Sequence, residues 1–192
     1  MSEKQQQKSH YRLKKTVVMI GMMGAGKTAV GRALALALDV PFLDSDAEIE
    51  AAANMSVQEI FARDGEPFFR DKEAQVISRL LETHQGILST GGGAFLAERN
   101  RKAITEKGVS VWLNASLPVL WQRVRHKGTR PLLRTDDPRA TLAEIYEARV
   151  PVYSMADISV VSKASYSVEE MAQNVVEALL KRPDVLEEVT HA

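Results

Sequence analysis

A chain of 192 residues, 45% hydrophobic and 26% charged, is long enough to bury one sizeable core and has the balance of a soluble globular protein. Its formal net charge is zero and its basic residues are dispersed, which argues against a nucleic-acid or anionic-membrane surface, so an anionic small molecule must be met by local arginines. The absence of cysteine excludes disulfides, thiolate metal sites and a cysteine nucleophile and fits a reducing cytosol; no apolar run approaches a membrane span or a signal-peptide core.

Residues 1–15 are polar, with five basic residues against one acid, and read as a disordered leader. The apolar run from Thr16 to Ile20 reads as a buried strand, and it leads directly into Gly21-Met22-Met23-Gly24-Ala25-Gly26-Lys27-Thr28, a complete GxxxxGK[ST] loop. Residues 29–38, rich in Ala and Leu, supply the helix that this motif requires. In such a loop the glycines let successive N–H groups turn inward, and the helix N-terminus adds positive potential. Lys27 then reaches the β- and γ-phosphates, and the Thr28 hydroxyl can ligate Mg²⁺.

Val40-Pro41-Phe42-Leu43-Asp44 reads as a second strand, with Asp44-Ser45-Asp46 at its C-terminal end, where open α/β sheets bind ligands. Two carboxylates two residues apart beside a phosphate loop can serve a metal and an acceptor hydroxyl separately. Residues 47–84 carry helix signals without a strand pattern: Ser56 and Glu59 form a capping box, and Gly65 with Pro67 marks a break. Ile87-Leu88-Ser89-Thr90 is a short strand running into Gly91-Gly92-Gly93, a site for close approach of backbone to something else. Residues 109–113 form another buried strand, and Ser116 caps the helix that follows.

Between 126 and 139 the periodicity gives way to a polar stretch of lid length that contains Arg130 and Pro131. Residues 142–150 resume helical spacing, with Arg149 at the end and Pro151 just beyond. Ile158-Ser159-Val160-Val161 is the last strand, and Ser167 with Glu170 caps the last helix. The expected architecture is α/β: a five-stranded parallel sheet sandwiched by helices, in a single domain over 16–182. It has a substrate-binding insertion at 46–84, a lid at 126–139 and a solvated acidic tail at 183–192. The four histidines show no ligand spacing and receive no role.

A phosphate loop alone leaves motors, GTPases and small-molecule kinases open. The further elements Leu43-Asp44-Ser45-Asp46, Phe69-Arg70-Asp71-Lys72-Glu73, Thr90-Gly91-Gly92-Gly93, Arg130-Pro131-Leu132-Leu133 and Arg149-Val150-Pro151-Val152-Tyr153 resemble, in order and spacing, those of the shikimate kinase family. The resemblance runs from Val17 to about Leu180. It implies a nucleoside monophosphate kinase-like fold and a cytoplasmic, monomeric, Mg²⁺-dependent kinase that transfers a phosphoryl group from ATP to shikimate, on the way to chorismate and the aromatic amino acids.

By the same resemblance, Asp46, Arg70, Gly92, Gly93 and Arg149 hold shikimate, and Lys27, Asp46 and Arg130 carry the transfer. Gly24, Ala25, Gly26, Lys27, Thr28, Ala29, Arg123 and Arg130 bind ATP, with Arg123 along the adenine and Arg130 on the phosphates, and Thr28 and Asp44 serve Mg²⁺. Elementary chemistry agrees, because a carboxylate substrate suits the forked donors of Arg70 and Arg149, and phosphoryl transfer needs positive charge more than a strong base. Family members often carry an Arg and a Pro in the loop after the last strand; here the loop reads Lys163-Ala164-Ser165-Tyr166-Ser167, and none of its residues is assigned. A gluconate kinase would keep the loop and lid but lack the FRxxE and GGG pair, and a non-catalytic binding module would not need Lys27, Asp46 and Arg130 together.

Overall fold

The computed structural model describes residues 10–189. In chain order these form β1 (His10–Leu13), β2 (Thr16–Ile20), α1 (Lys27–Leu38), β3 (Phe42–Asp44), α2 (Ser45–Ala53), α3 (Val57–Thr83) and β4 (Ile87–Ser89). They continue with α4 (Glu98–Lys107), β5 (Gly108–Ala115), α5 (Leu117–Val124), α6 (Pro138–Tyr153), β6 (Ile158–Ser162), α7 (Val168–Leu180) and β7 (Leu186–Val189). Single 3₁₀ turns at Ala94–Leu96 and Pro131–Leu133 fill two of the connections.

Five strands make one parallel sheet in the order β3-β4-β2-β5-β6. All five residues of β2 are buried, as expected of the central strand of a sheet covered on both faces. The connection β2-α1-β3 runs towards one edge of the sheet, whereas the later connections run towards the other. With right-handed crossovers this places α1 on one face and α3 to α6 on the opposite one. Helix α7 returns to pack on α1. Every strand of the sheet therefore ends at the same edge, and the phosphate loop, Asp44, the glycine run and residue 115 lie together at that edge.

Local signals behave as the sequence indicates at several points. Ser56 and Glu59 form a reciprocal capping box, as do Ser167 and Glu170. Gly65 breaks α3 at φ 83°, ψ 168°, a conformation closed to most side chains, so α3 is two helices joined at a kink.

Three expectations differ from the structure. Residues 10–13 are not leader, nor is 186–189 tail: they pair as an antiparallel ribbon, β1 with β7, in which Leu13 and Leu186 are buried. Charge complementarity seats it, since Glu187 pairs with Arg12 and Lys14, and Asp184 with Lys15. The rest of the expected leader and tail, 1–9 and 190–192, lies outside the described residues. Ser116 occupies the N-cap position of α5 without a side-chain capping bond. Finally, α6 does not stop before Pro151 but continues through it to Tyr153, whose ring is wholly buried; tertiary burial there outweighs the loss of one helical donor.

Candidate active site

The phosphate loop leaves β2 at Gly21 and closes on α1, whose N-cap is Gly26 at φ 91°. Lys27 Nζ donates to the carbonyls of Gly21 at 2.8 Å and Met22 at 3.0 Å, which folds the lysine over its own loop. Burial first, then the Arg130 and Arg149 guanidiniums, bring its ammonium down to about 8, against the pull of Asp46 and Asp44. Arg123 on α5 donates to the carbonyls of Gly24 (3.2 Å) and Ala25 (3.4 Å) and to Ser162 Oγ on β6 (3.2 Å). Its guanidinium thereby braces the loop against the sheet, within the same cavity as the residues after β6.

Two cavities open at this edge. One, of about 580 Å³, is lined by Gly24, Ala25, Gly26, Lys27, Thr28 and Ala29 and reaches Arg123, Ala164 and Tyr166. The other, of about 670 Å³, lies under the insertion and is lined by Phe61, Phe69, Arg70, Glu73, Gly93 and Arg149. They share Met23, Asp46, Gly91, Gly92 and Arg130. An elongated anionic ligand and a smaller one can thus meet end to end at a carboxylate and a guanidinium.

At that junction Asp46 Oδ1 is buried without a hydrogen-bond partner, and so is Arg130 Nε. Burial is the main reason the Asp46 carboxyl is pushed up to about 6; Asp44, Glu73 and Glu50 add like-charge pressure, and Lys27 opposes it. A carboxyl tuned towards neutrality and left unpaired is suited to accept a proton from a bound hydroxyl. Asp44 differs from it: one of its oxygens accepts the Ala47 N–H at 3.0 Å, capping α2, so a single oxygen remains for other work.

The three glycines after β4 account for their own presence. A Cβ at Gly91 would sit 3.1 Å from both carboxylate oxygens of Asp46, one at Gly92 would sit 3.1 Å from Arg149 Nη1, and one at Gly93 would lie 2.8 Å from Arg70 Cζ. Each glycine makes room for one functional side chain, and these arrive from α2, α6 and α3 respectively. The run is therefore a floor against which the acid and both arginines are packed.

Arg70 donates to Glu73 at 2.8 Å and to Glu66 at 3.3 Å. Glu73 is fully buried, burial raises its carboxyl, and its second oxygen has no hydrogen-bond partner. Glu73 has no assigned task in the sequence, although its i+3 spacing from Arg70 on a helix signals the pairing. Tyr153 likewise has none, and its O–H donates to the Gly92 carbonyl at 2.6 Å. Tyr166, left unassigned, lines the nucleotide-sized cavity under the Lys163 ammonium, which lies 5.5 Å from its ring centre.

A parallel sheet with a phosphate loop, a helical insertion and a second cavity that meets the first at an acid and an arginine defines a P-loop small-molecule kinase. A sequence model of the shikimate kinase family matches residues 23–180. The chain is 70% identical over 175 residues to the shikimate kinase of Ruegeria pomeroyi, covering 91% of this chain and 90% of that one. It is 68% identical over 176 residues to that of Cereibacter sphaeroides, covering 92% and 88%. Among solved structures, a shikimate kinase from Acinetobacter baumannii in complex with shikimate superposes with a TM-score of 0.81 at 33% identity, over 87% of this chain and 93% of that one. A gluconokinase from Sinorhizobium meliloti shares the fold at a TM-score of 0.60 and 19% identity, over 88% and 94%. The chain belongs to the shikimate kinase family, and it is a kinase that uses ATP to phosphorylate shikimate.

Proposed function

We propose that the chain transfers the γ-phosphoryl group of ATP to the 3-hydroxyl of shikimate on the path to chorismate, acting as a cytoplasmic monomer with Mg²⁺. The observation that carries this reading is the junction of the two cavities at Asp46, Arg130 and the glycine run. ATP lies in the first cavity, with its phosphates on the N–H groups of Gly24 to Thr28, with Ala29 beside them, and its base between Arg123 and the loop carrying Tyr166. Shikimate lies in the second, its carboxylate on the forks of Arg70 and Arg149 and its hydroxyls towards Asp46 and the backbone of Gly92 and Gly93.

The shikimate oxygen attacks the γ-phosphorus while the bond to the β-phosphate oxygen breaks. The hydroxyl proton passes to Asp46, and ADP departs. Lys27 leaves the Gly21 and Met22 carbonyls for the phosphates, and Arg130, carried by the lid at 126–139, meets the charge spread over the transferring oxygens. The insertion at 46–84 supplies both Asp46 and Arg70, which ties acceptor binding to the catalytic acid-base group.

Among the described residues no cluster of three or more His, Cys, Asp or Glu could hold a metal by itself. The oxygen donors Thr28 and Asp44, both lining the nucleotide cavity, suit Mg²⁺, which takes one or two protein oxygens and completes its shell with phosphates and water. Bound there, it would neutralise charge on the β- and γ-phosphates. No helix among the described residues is long and apolar enough to cross a membrane. A coupled assay of ADP release tests the reading: release should require shikimate and vanish in Lys27→Ala that is folded by circular dichroism. Shikimate-independent release at full rate, or full turnover in the variant, would overturn it.

A further inference from the structure

Tyr153 is the largest fully buried side chain among the described residues, and the helix that carries it runs through Pro151, two residues earlier, at the loss of one backbone donor. A phenylalanine would serve for packing alone. The hydroxyl is instead donated at 2.6 Å to the carbonyl of Gly92, the middle residue of the glycine floor. Arg149, one helical turn earlier on α6, packs against the same glycine: a Cβ at Gly92 would sit 3.1 Å from Arg149 Nη1 and 3.8 Å from the Tyr153 hydroxyl. Behind the ring stands Trp112 of β5, with ring centres 6.2 Å apart, and the Trp112 edge lies 3.5 Å from where a Cβ of Gly21 would be. One phenol thus bonds the glycine turn on which the carboxylate-binding arginine packs, and rests on the strand residue that backs the start of the phosphate loop.

Fixing the Gly92 carbonyl has a geometric result. The described chain has no cis peptide, and in a planar trans peptide the N–H of the next residue points opposite the carbonyl. Holding the Gly92 carbonyl towards Tyr153 therefore sets the direction of the Gly93 N–H, and it fixes the glycine against which Arg149 Nη1 packs. Without the hydroxyl, the half-buried carbonyl would lose its side-chain donor, and the peptide would be free to turn.

We propose that Tyr153 is a positioning residue for the acceptor: its hydroxyl, bonded to the carbonyl of the glycine against which Arg149 packs, fixes the turn that seats the carboxylate-binding guanidinium. This rests on the acceptor site proposed above. Tyr153→Phe removes the hydroxyl and keeps the ring. The expected result is a rise of about tenfold or more in KM for shikimate, with KM for ATP within about twofold of wild type and a smaller change in kcat.

Ser110→Ala is the control. Ser110 Oγ is buried at the opposite end of β5, donating to Asp157 Oδ2 at 3.0 Å and accepting the Asp157 N–H at 2.9 Å. Its loss should lower the melting temperature and leave both KM values alone. If Tyr153→Phe behaves like this control, the hydroxyl is a packing and stability group and the proposal is overturned, while the acceptor site stands. If KM for ATP rises instead of KM for shikimate, the proposal and the assignment of Arg149 to the acceptor both fail. Should the variant not fold, wild-type protein labelled with ¹³C at tyrosine Cζ gives the answer: the Tyr153 resonance should shift on addition of shikimate and not of ADP. A resonance indifferent to shikimate would overturn the proposal.

Discussion

Replacing Asp46 by Asn keeps the shape of the side chain and removes its charge, and the structure says how much stability that charge costs. The folded protein holds the Asp46 carboxyl at about 6 against an ordinary 3.8, a difference of about 2 pH units. At 1.36 kcal/mol per unit the ionised form is disfavoured by up to about 3 kcal/mol in the fold. The sign follows from linkage: a carboxyl whose pKa is raised by folding stabilises the fold at low pH and loses that contribution as pH climbs through the folded value. Between pH 4.5 and 7.5 this amounts to roughly 2 kcal/mol. Lys27 gives up a counter-charge in the variant and offsets part of the gain.

The expected outcome is a variant whose melting temperature, relative to wild type, improves by roughly 4 to 8 °C between those two pH values, the shift appropriate to a chain of this size. Turnover with shikimate should fall by roughly 10² to 10⁴. In the wild type, kcat/KM should show an acid limb near pH 6, and the variant should lack it. Scanning calorimetry and steady-state kinetics across the pH range check both halves. If the difference in melting temperature were the same at pH 4.5 and 7.5, the carboxyl would not be tuned by burial and the reasoning from the unpartnered Oδ1 would fail.

Arg130→Ala should lower turnover by about 10³ or more, as for arginines that neutralise phosphoryl-transfer charge, and a loss confined to shikimate affinity in initial-rate kinetics would move it to the acceptor side. Arg70→Lys and Arg149→Lys keep charge but lose the planar fork, so shikimate should bind at least about tenfold more weakly and its preference over the neutral carboxamide should shrink; calorimetric titration of both ligands reads this, and undiminished preference would dissolve the clamp. Because Lys27 is held down to about 8 in the free protein, ATP affinity should decline as pH rises beyond that value, and titrations from pH 7 to 9.5 showing no decline would contradict the burial of that ammonium.

Much of this fold is local and was therefore legible. The phosphate loop is a contiguous motif between a strand run and a helix, the two capping boxes need only three-residue spacing, and Gly65 announces its own kink. What escaped is non-local or weakly patterned. Nothing in Gly91-Gly92-Gly93 tells which side chain each glycine admits, because Asp46, Arg149 and Arg70 come from helices far apart in sequence. The β1–β7 ribbon was missed because each strand is only four residues long: His10-Tyr11-Arg12-Leu13 alternates over too short a run to read, and Leu186-Glu187-Glu188-Val189 does not alternate. Opposite charge at the two chain ends was the signal available. Pro151 misled for the reverse reason: the local rule that proline ends helices is sound, but it yields here to a buried tyrosine with a backbone partner.

In the proposed reaction one phosphoryl group passes from ATP to a single hydroxyl of shikimate held against Asp46. Phosphorus-31 and carbon-13 NMR of the reaction mixture tests this most directly. One new phosphomonoester should form, in equal amount with ADP and coupled to carbon 3 of shikimate. Inorganic phosphate as the accompanying product, or a phosphate on a different hydroxyl, would contradict it.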